Sequence, residues 1–211
     1  MRIAVVDSGI NPNHPHVGAL AGSVFITEAG ESEDATDRLG HGTAVAGAIR
    51  EKAPDAELYA VKIFDRRLST RIEVMLRAIW WCRDHRMDLV NLSLGTTNQE
   101  HREGLIEALG GELVVISAAQ CLPGSLPGVI CVLPDPECPR EEFRYAGGVF
   151  RASPHPRPIP GVPVTANLNG ASFAVANVTG FAARFRGVNS RDALRKSLIE
   201  QAEAFKKGAQ R

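Results

Sequence analysis

The sequence lacks a net charge and any long apolar run, and each absence argues against one class of partner. Its 24 lysines and arginines balance its 24 aspartates and glutamates. This balance gives no electrostatic basis for binding nucleic acid or an anionic membrane surface. No apolar stretch approaches the roughly 20 residues that a membrane-spanning helix needs. We therefore expect neither nucleic acid nor a membrane as a partner.

Metal-binding patterns are also missing. The acidic residues between Glu28 and Asp37 are scattered, unlike the ligands of a calcium-binding loop. The four cysteines lack the paired spacing of a zinc site or a disulfide framework, so we predict buried free thiols at Cys82, Cys121, Cys131 and Cys138. We expect no metal and no cofactor. Free thiols also favour a cytoplasmic protein.

The remaining composition fits one compact domain. The chain has 211 residues, of which 44% are hydrophobic and 23% are charged, and it is long enough to bury a substantial core. Apolar strand-like runs alternate with helical patterns, which predicts an α/β fold with a parallel sheet. We predict a core at about 2–200, a tail at about 201–211, loops between Pro134 and Pro163, and a helix capped by Ser190.

Three short segments place an aspartate, a histidine and a serine in an order known for serine hydrolases. Asp7 ends an apolar strand, at the edge of a parallel sheet where ligands bind. His41 lies between two glycines before a helix of small residues. Ser172 begins an apolar helix, where its own N–H could bind an oxyanion. Each residue alone could be a turn or cap residue, but their coincidence favours catalysis.

These segments resemble those of subtilisin-like serine proteases, the subtilases of peptidase family S8. The matching runs are Val5-Val6-Asp7-Ser8-Gly9, Gly40-His41-Gly42-Thr43 and Gly170-Ala171-Ser172-Phe173-Ala174. The resemblance implies a three-layer α/β fold with a mostly parallel central sheet flanked by helices. It also implies a serine endopeptidase that acts through an acyl-enzyme, with Asp7, His41 and Ser172 as its catalytic triad.

A further run, residues 87–95, resembles the strand whose edge pairs with an extended substrate in that family. The resemblance implies that Ser93, Leu94 and Gly95 bind substrate. Backbone pairing of this kind would hold a peptide extended whatever its side chains are. The alternative is an ordinary buried strand, and we favour a strand that fulfils both roles.

The chain departs from the family where Gln120-Cys121 replaces the usual Gly-Asn. In the family, the asparagine amide donates the second hydrogen bond to the oxyanion. Ungapped alignment offers Cys121 in its place, whereas a one-residue shift offers Gln120, which keeps an amide on a longer arm. We favour Gln120. The replacement of the usual Pro-His by Ala176-Asn177 removes no residue that carries chemistry.

The predicted first strand starts at Ile3, which leaves no room for a signal peptide or prodomain. Either the sequence has been trimmed or the enzyme is intracellular, and we favour a cytoplasmic enzyme. We expect peptide or protein substrates and, by analogy, precursor-peptide maturation such as leader removal. A partner protein could be required for stability or activity. The alternative function is a catalytically weak or inactive subtilisin-like fold that binds an extended peptide or depends on a partner.

Overall fold

The computed structural model describes residues 1–185, 187 and 190–208, and it is built on a nine-stranded sheet. The strands are β1 (Arg2–Asp7), β2 (Gly22–Thr27), β3 (Gly30–Ser32), β4 (Glu57–Lys62), β5 (Leu89–Leu92), β6 (Val115–Ala118), β7 (Ile130–Pro134), β8 (Phe143–Ala146) and β9 (Val149–Ala152). The helices are α1 (His41–Lys52), α2 (Ile72–Asp84), α3 (Arg102–Ala108), α4 (Ala171–Ala182) and α5 (Arg191–Gly208).

The strand order is β3-β2-β4-β1-β5-β6-β7-β9-β8. Neighbouring strands run parallel except for the pairs β2–β3 and β8–β9 at the two ends of the sheet. β1 lies between β4 and β5, with Val6 opposite Val61 on one side and Leu92 on the other. Strands covered on both faces need near-continuous apolar sequences, and β1 has one from Ile3 to Val6.

Helices cover both faces of the sheet and give the fold three layers. One core joins the sheet to α1, α4 and α5 through residues such as Val45, Val178 and Leu198. The opposite core joins it to α2 and α3 through Ile79 and Leu105. The predicted fold class is thus confirmed. Among the described helices, none combines the length and apolar character needed to cross a membrane.

The prediction of loops between Pro134 and Pro163 is wrong in part, because β8 and β9 form an antiparallel pair there. The sequence between them is Gly147-Gly148, and both glycines have positive φ, as a two-residue hairpin turn requires. Phe143 and Phe150 are fully buried in the core beneath this pair. Their burial stabilises these two strands. The surrounding prolines, which favour loops, explain why the sequence does not predict them.

The predicted tail from residue 201 is also corrected, since α5 continues to Gly208. Ala202 is buried and the Phe205 ring contacts the rings of Phe143 and Phe181, so this last part of the helix packs on the core. Residues 209–211 of that tail lie outside the described residues. At the other end of α5, the Ser190 hydroxyl accepts a hydrogen bond from the Ala193 N–H, which confirms the predicted cap.

Candidate active site

The carboxyl end of β1 meets the first residue of α1 in a buried carboxylate–histidine pair. Asp7 has no exposed surface, and its Oδ1 lies 2.7 Å from Nδ1 of His41 and accepts a 2.7 Å bond from the Ser8 N–H. A carboxylate can only accept, so Nδ1 carries the proton and Nε2 is left as a base. Gly42 makes the approach possible, because a Cβ there would lie 2.2 Å from the Gly9 carbonyl oxygen.

Asp37 holds the start of α1 in place. Its Oδ2 accepts hydrogen bonds from the Thr43 N–H at 2.9 Å and the Thr43 hydroxyl at 2.6 Å. Its Oδ1 accepts from the Ser8 hydroxyl at 2.9 Å, and that hydroxyl accepts from the Gly42 N–H at 3.0 Å. The first N–H groups of a helix have no partner within it. Asp37 and Ser8 supply those partners and so fix the position of His41.

Nearby charges and hydrogen bonds shift the pKa values of His41 and Asp37. Burial lowers the pKa of His41, but the hydrogen bond and charge of Asp7, with the charge of Asp37, outweigh burial and raise that pKa above its ordinary value. Burial acts to raise the pKa of Asp37, yet its hydrogen bonds from Thr43, Leu39 and Ser8 hold that pKa below the usual range. Asp37 is therefore ionised beside the imidazole at neutral pH.

Ser172 is the second residue of α4 and lies against the end of β5. Its hydroxyl donates to the Ser93 carbonyl oxygen at 3.2 Å, and the Ser93 hydroxyl donates to the Ser172 carbonyl oxygen at 3.2 Å. No acceptor in the described part of the chain is bonded to the Ser172 N–H. The His41 ring lies 5.5 Å from the ring of Phe173, between centroids. The structure thus brings His41 to the turn that carries Ser172.

The backbone after β5 offers an open edge of limited length. Within the described residues, Ser93, Leu94 and Gly95 form no backbone-to-backbone hydrogen bond. Thr96 is different, since its N–H and carbonyl oxygen each bond to Leu122 at 2.9 Å. A peptide could therefore pair with the three residues predicted to bind substrate, and the chain itself closes the edge beyond them.

The two residues considered for the oxyanion occupy different environments. Gln120 is exposed, whereas Cys121 is half-buried and its Sγ lies 3.8 Å from the Ala118 carbonyl oxygen. A Cβ on Gly95 would lie 2.2 Å from that sulfur, so the thiol rests on the open edge. Burial raises the pKa of the Cys121 thiol. Neither residue is hydrogen-bonded to Ser172 in the described structure.

Two buried polar residues near Ser172 are not predicted as site residues from the sequence. Asn91 and Thr179 have no exposed surface, and the Thr179 hydroxyl lies 3.0 Å from Oδ1 of Asn91. A signal exists for Asn91, which interrupts an otherwise apolar strand, and none exists for Thr179. In the described residues, no group of three or more His, Cys, Asp or Glu side chains is arranged to hold a metal ion.

Comparison with known proteins identifies relatives of this chain. The chain is similar to subtilisin E of Bacillus subtilis, with 29% identity over 205 residues that cover 86% of this chain and 52% of that protein. It is also similar to the minor extracellular protease Epr of the same organism, with 39% identity over 107 residues that cover 46% of this chain and 16% of Epr. The chain thus spans about half the length of subtilisin E.

A solved structure agrees with the fold. A cold adapted subtilisin-like serine proteinase superposes with a TM-score of 0.72 at 19% identity, over 94% of this chain and 81% of that one. A sequence profile described as the subtilase family matches residues 1–120, which include Asp7 and His41. With this match over more than half of its length, the chain belongs to the subtilase family.

Proposed function

We propose that this subtilase is a serine endopeptidase that uses Asp7, His41 and Ser172 as its catalytic triad. The observation that carries the proposal is the 2.7 Å hydrogen bond from His41 to buried Asp7, with that imidazole beside the turn of Ser172. Aspartate fixes the tautomer of the histidine in such triads, and the histidine takes the proton of the serine. The family membership of the chain points to the same chemistry.

In the proposed reaction, Ser172 Oγ attacks a peptide carbonyl carbon while Nε2 of His41 takes the hydroxyl proton. The tetrahedral intermediate collapses as the C–N bond breaks, and the leaving amine receives that proton. Water then attacks the acyl-enzyme, again with His41 as base, and releases the acid and Ser172. In the resting structure the Ser172 hydroxyl bonds to the Ser93 carbonyl oxygen, so it would exchange that acceptor for His41 when substrate binds.

The oxyanion would be bound by the Ser172 N–H and by a side chain of the segment after β6. The free N–H at the start of α4 supports the first donor. Gln120 remains our choice for the second, because its amide is an N–H donor and its side chain is exposed. The thiol of Cys121 is a weaker donor and rests on Gly95 instead.

We infer that the substrate is an extended peptide paired with Ser93, Leu94 and Gly95. Their unpaired backbone supports this mode of binding. The test is digestion of a mixture of unstructured peptides, followed by mass spectrometry of the new termini, with Ser172→Ala as the control. Cleavage within peptide chains by the wild type alone supports the proposal. Intact peptides bound by both proteins would favour the alternative, a peptide-binding module without activity.

We further propose a cytoplasmic setting in which the enzyme matures a precursor peptide. Its four free cysteines support a reducing compartment, and burial raises the pKa of Cys138 to about 11, which keeps that thiol unreactive. The expected result is that tagged protein fractionates with the cytoplasm and that cells carrying Ser172→Ala accumulate an uncleaved peptide. Activity that appears only after a cell extract is added would indicate that a partner protein is required.

A further inference from the structure

A directed chain of hydrogen bonds runs from the interior of α4 to the main chain of Ser172. The Thr179 hydroxyl donates to Oδ1 of Asn91 at 3.0 Å, and Nδ2 of Asn91 donates to the Ser93 hydroxyl at 2.7 Å. The Ser93 hydroxyl then donates to the Ser172 carbonyl oxygen at 3.2 Å. Every member thus donates toward the residue proposed as the nucleophile.

The direction of this chain depends on Thr179. The Thr179 hydroxyl has one proton and a second acceptor in reach, the Val175 carbonyl oxygen at 2.9 Å. That carbonyl is already the acceptor for the Thr179 N–H in the α-helix, whereas Oδ1 of Asn91 has no other donor in the described structure. Both Thr179 and Asn91 are fully buried. An unpaired amide oxygen in this buried place would lower the stability of the fold, so the proton of the Thr179 hydroxyl points toward Oδ1 of Asn91.

The orientation of the Asn91 amide decides what Ser93 can do. With Oδ1 held by Thr179, the amide presents N–H groups to Ser93, whose hydroxyl accepts one and has its proton left for the Ser172 carbonyl oxygen. If the Asn91 amide were rotated, its oxygen would face Ser93 and would accept the hydrogen bond that the Ser93 hydroxyl can donate. Ser93 would then release the main chain of Ser172, although its own carbonyl oxygen still accepts from the Ser172 hydroxyl.

We propose that Thr179 is a positioning residue that holds Ser172 in its reactive place through Asn91 and Ser93. The inference rests on the proposed role of Ser172 as nucleophile. The Thr179 hydroxyl is hydrogen-bonded to Asn91 and Val175 and not to Ser172 in the described structure. It is therefore linked to Ser172 by this chain of hydrogen bonds as well as by the backbone of α4. Displacing a reacting group by about 1 Å can lower a rate about 100-fold, and a loosened main chain would cause part of that loss.

The test compares Thr179→Val, which keeps the shape and removes the hydroxyl, with Thr179→Ser, which keeps the hydroxyl. We expect the valine variant to react with a fluorophosphonate about tenfold to 100-fold more slowly and to cleave peptides with a lower kcat at unchanged KM. The serine variant restores the rate. Ser117→Ala is the matched control, since Ser117 is fully buried and its hydroxyl has no partner in the described structure. A valine variant with the wild-type rate overturns the proposal.

A double-mutant cycle tests the chain without relying on catalysis. Free energies of unfolding are measured for Thr179→Val, Ser93→Ala and the double variant, with Thr179→Ala in place of valine if that variant does not fold. We expect the two effects to be strongly non-additive, and additive effects would overturn the proposal. If wild-type protein does not react with the fluorophosphonate, the proposed function has failed, and this cycle then decides by itself whether Thr179 acts on Ser93.

Discussion

The two halves of the candidate site are built differently. At the start of α1, His41 is fixed through Asp7 and Asp37 by hydrogen bonds of 2.6–3.0 Å. At the start of α4, Ser172 is held through Ser93 by longer contacts of 3.2 Å, and Gln120, our choice for the oxyanion, is exposed. The histidine half is therefore the more tightly determined of the two.

The family match follows the same division. The subtilase profile ends at residue 120, so it covers Asp7 and His41 and stops at the segment where Gln120-Cys121 replaces Gly-Asn. The half that contains Asp7 and His41 lies within the matched residues, while the segment proposed to bind the oxyanion lies where the match ends. Small changes of packing should thus lower activity when they affect the histidine half. In the serine half, activity should depend on individual hydrogen-bond donors.

The largest effect should come from Gly42→Ala, which breaks the histidine half. Alanine favours a helix over glycine, but the new Cβ would lie 2.2 Å from the Gly9 carbonyl oxygen and 3.1 Å from Cβ of Asp7. We expect displacement of His41 and a loss of kcat/KM of more than about 100-fold. The matched control is Gly104→Ala in α3, where the Cβ meets only Leu76, at 3.4 Å. Equal activities for both variants would contradict this account of the histidine half.

In the serine half, Gln120→Ala should remove one donor and leave the fold unchanged. We expect kcat to fall by about 10²–10³, a range that derives from the loss of such a donor in a subtilisin. The thermal unfolding temperature should not move, because the side chain is exposed. Gln99→Ala, also exposed, serves as the control and should leave kcat unchanged. An unchanged kcat for Gln120→Ala would remove this residue from the oxyanion site.

Asp37→Asn should weaken the histidine half without a steric clash. The asparagine amide would place N–H groups against donors of Ser8 or Thr43, and we expect about 1–3 kcal/mol of lost stability and a kcat/KM about tenfold lower. The charge of Asp37 raises the pKa of His41, so its removal should shift the acidic limb of the pH–rate profile to lower pH. An unshifted limb would show that this charge does not act on His41.

The contribution of Asp37 to stability should also be visible in the wild type, as a loss of stability at low pH. The pKa of Asp37 is lowered in the fold, so its contribution to stability is present above the pKa of an unfolded aspartate and is lost as the pH falls through the lower folded value. Denaturant unfolding at several pH values should show a smaller acid loss for Asp37→Asn than for the wild type. An equal acid loss for the two proteins would show that Asp37 makes no such contribution.

The smallest effect should come from Cys121→Ser. The thiol rests on Gly95 and has no hydrogen bond to Ser172, so we expect kcat to stay within about threefold of the wild type. Burial raises the pKa of this thiol, and iodoacetamide should therefore react with it slowly at neutral pH. Cys131→Ser, also at a half-buried cysteine, is the control. A loss of kcat about as large as that expected for Gln120→Ala would assign the oxyanion role to the thiol.

Much of the fold follows from local patterns in the sequence. The apolar run that ends at Asp7 and the small residues after His41 predict a strand and a helix, and both form. The β8–β9 pair is missed because Gly147-Gly148 lies in a proline-rich stretch, and the burial of Phe143 and Phe150 becomes evident only in the tertiary structure. The last turns of α5 are missed because charged residues surround the few side chains that pack on the core.

The candidate site divides in the same way. Asp7, His41 and Ser172 stand beside glycines or helix starts that mark them in the sequence. The support for His41 is only partly local, because Asp37 reaches Thr43 across six positions but Ser8 across 29 positions. Thr179 is harder to see, since it meets Asn91 across 88 positions. Such contacts depend on the tertiary fold, and no local pattern encodes them.

The proposed catalytic triad is tested most directly by covalent labelling of the purified protein with a fluorophosphonate, read by intact mass and peptide mapping. Ser172→Ala and His41→Ala variants are labelled beside it, and circular dichroism confirms that all three are folded. If Asp7, His41 and Ser172 form a catalytic triad, one adduct, on Ser172, forms in the wild type and is lost in both variants. Folded wild-type protein that takes no label, or labelling of Ser172 that does not need His41, would contradict the proposed triad.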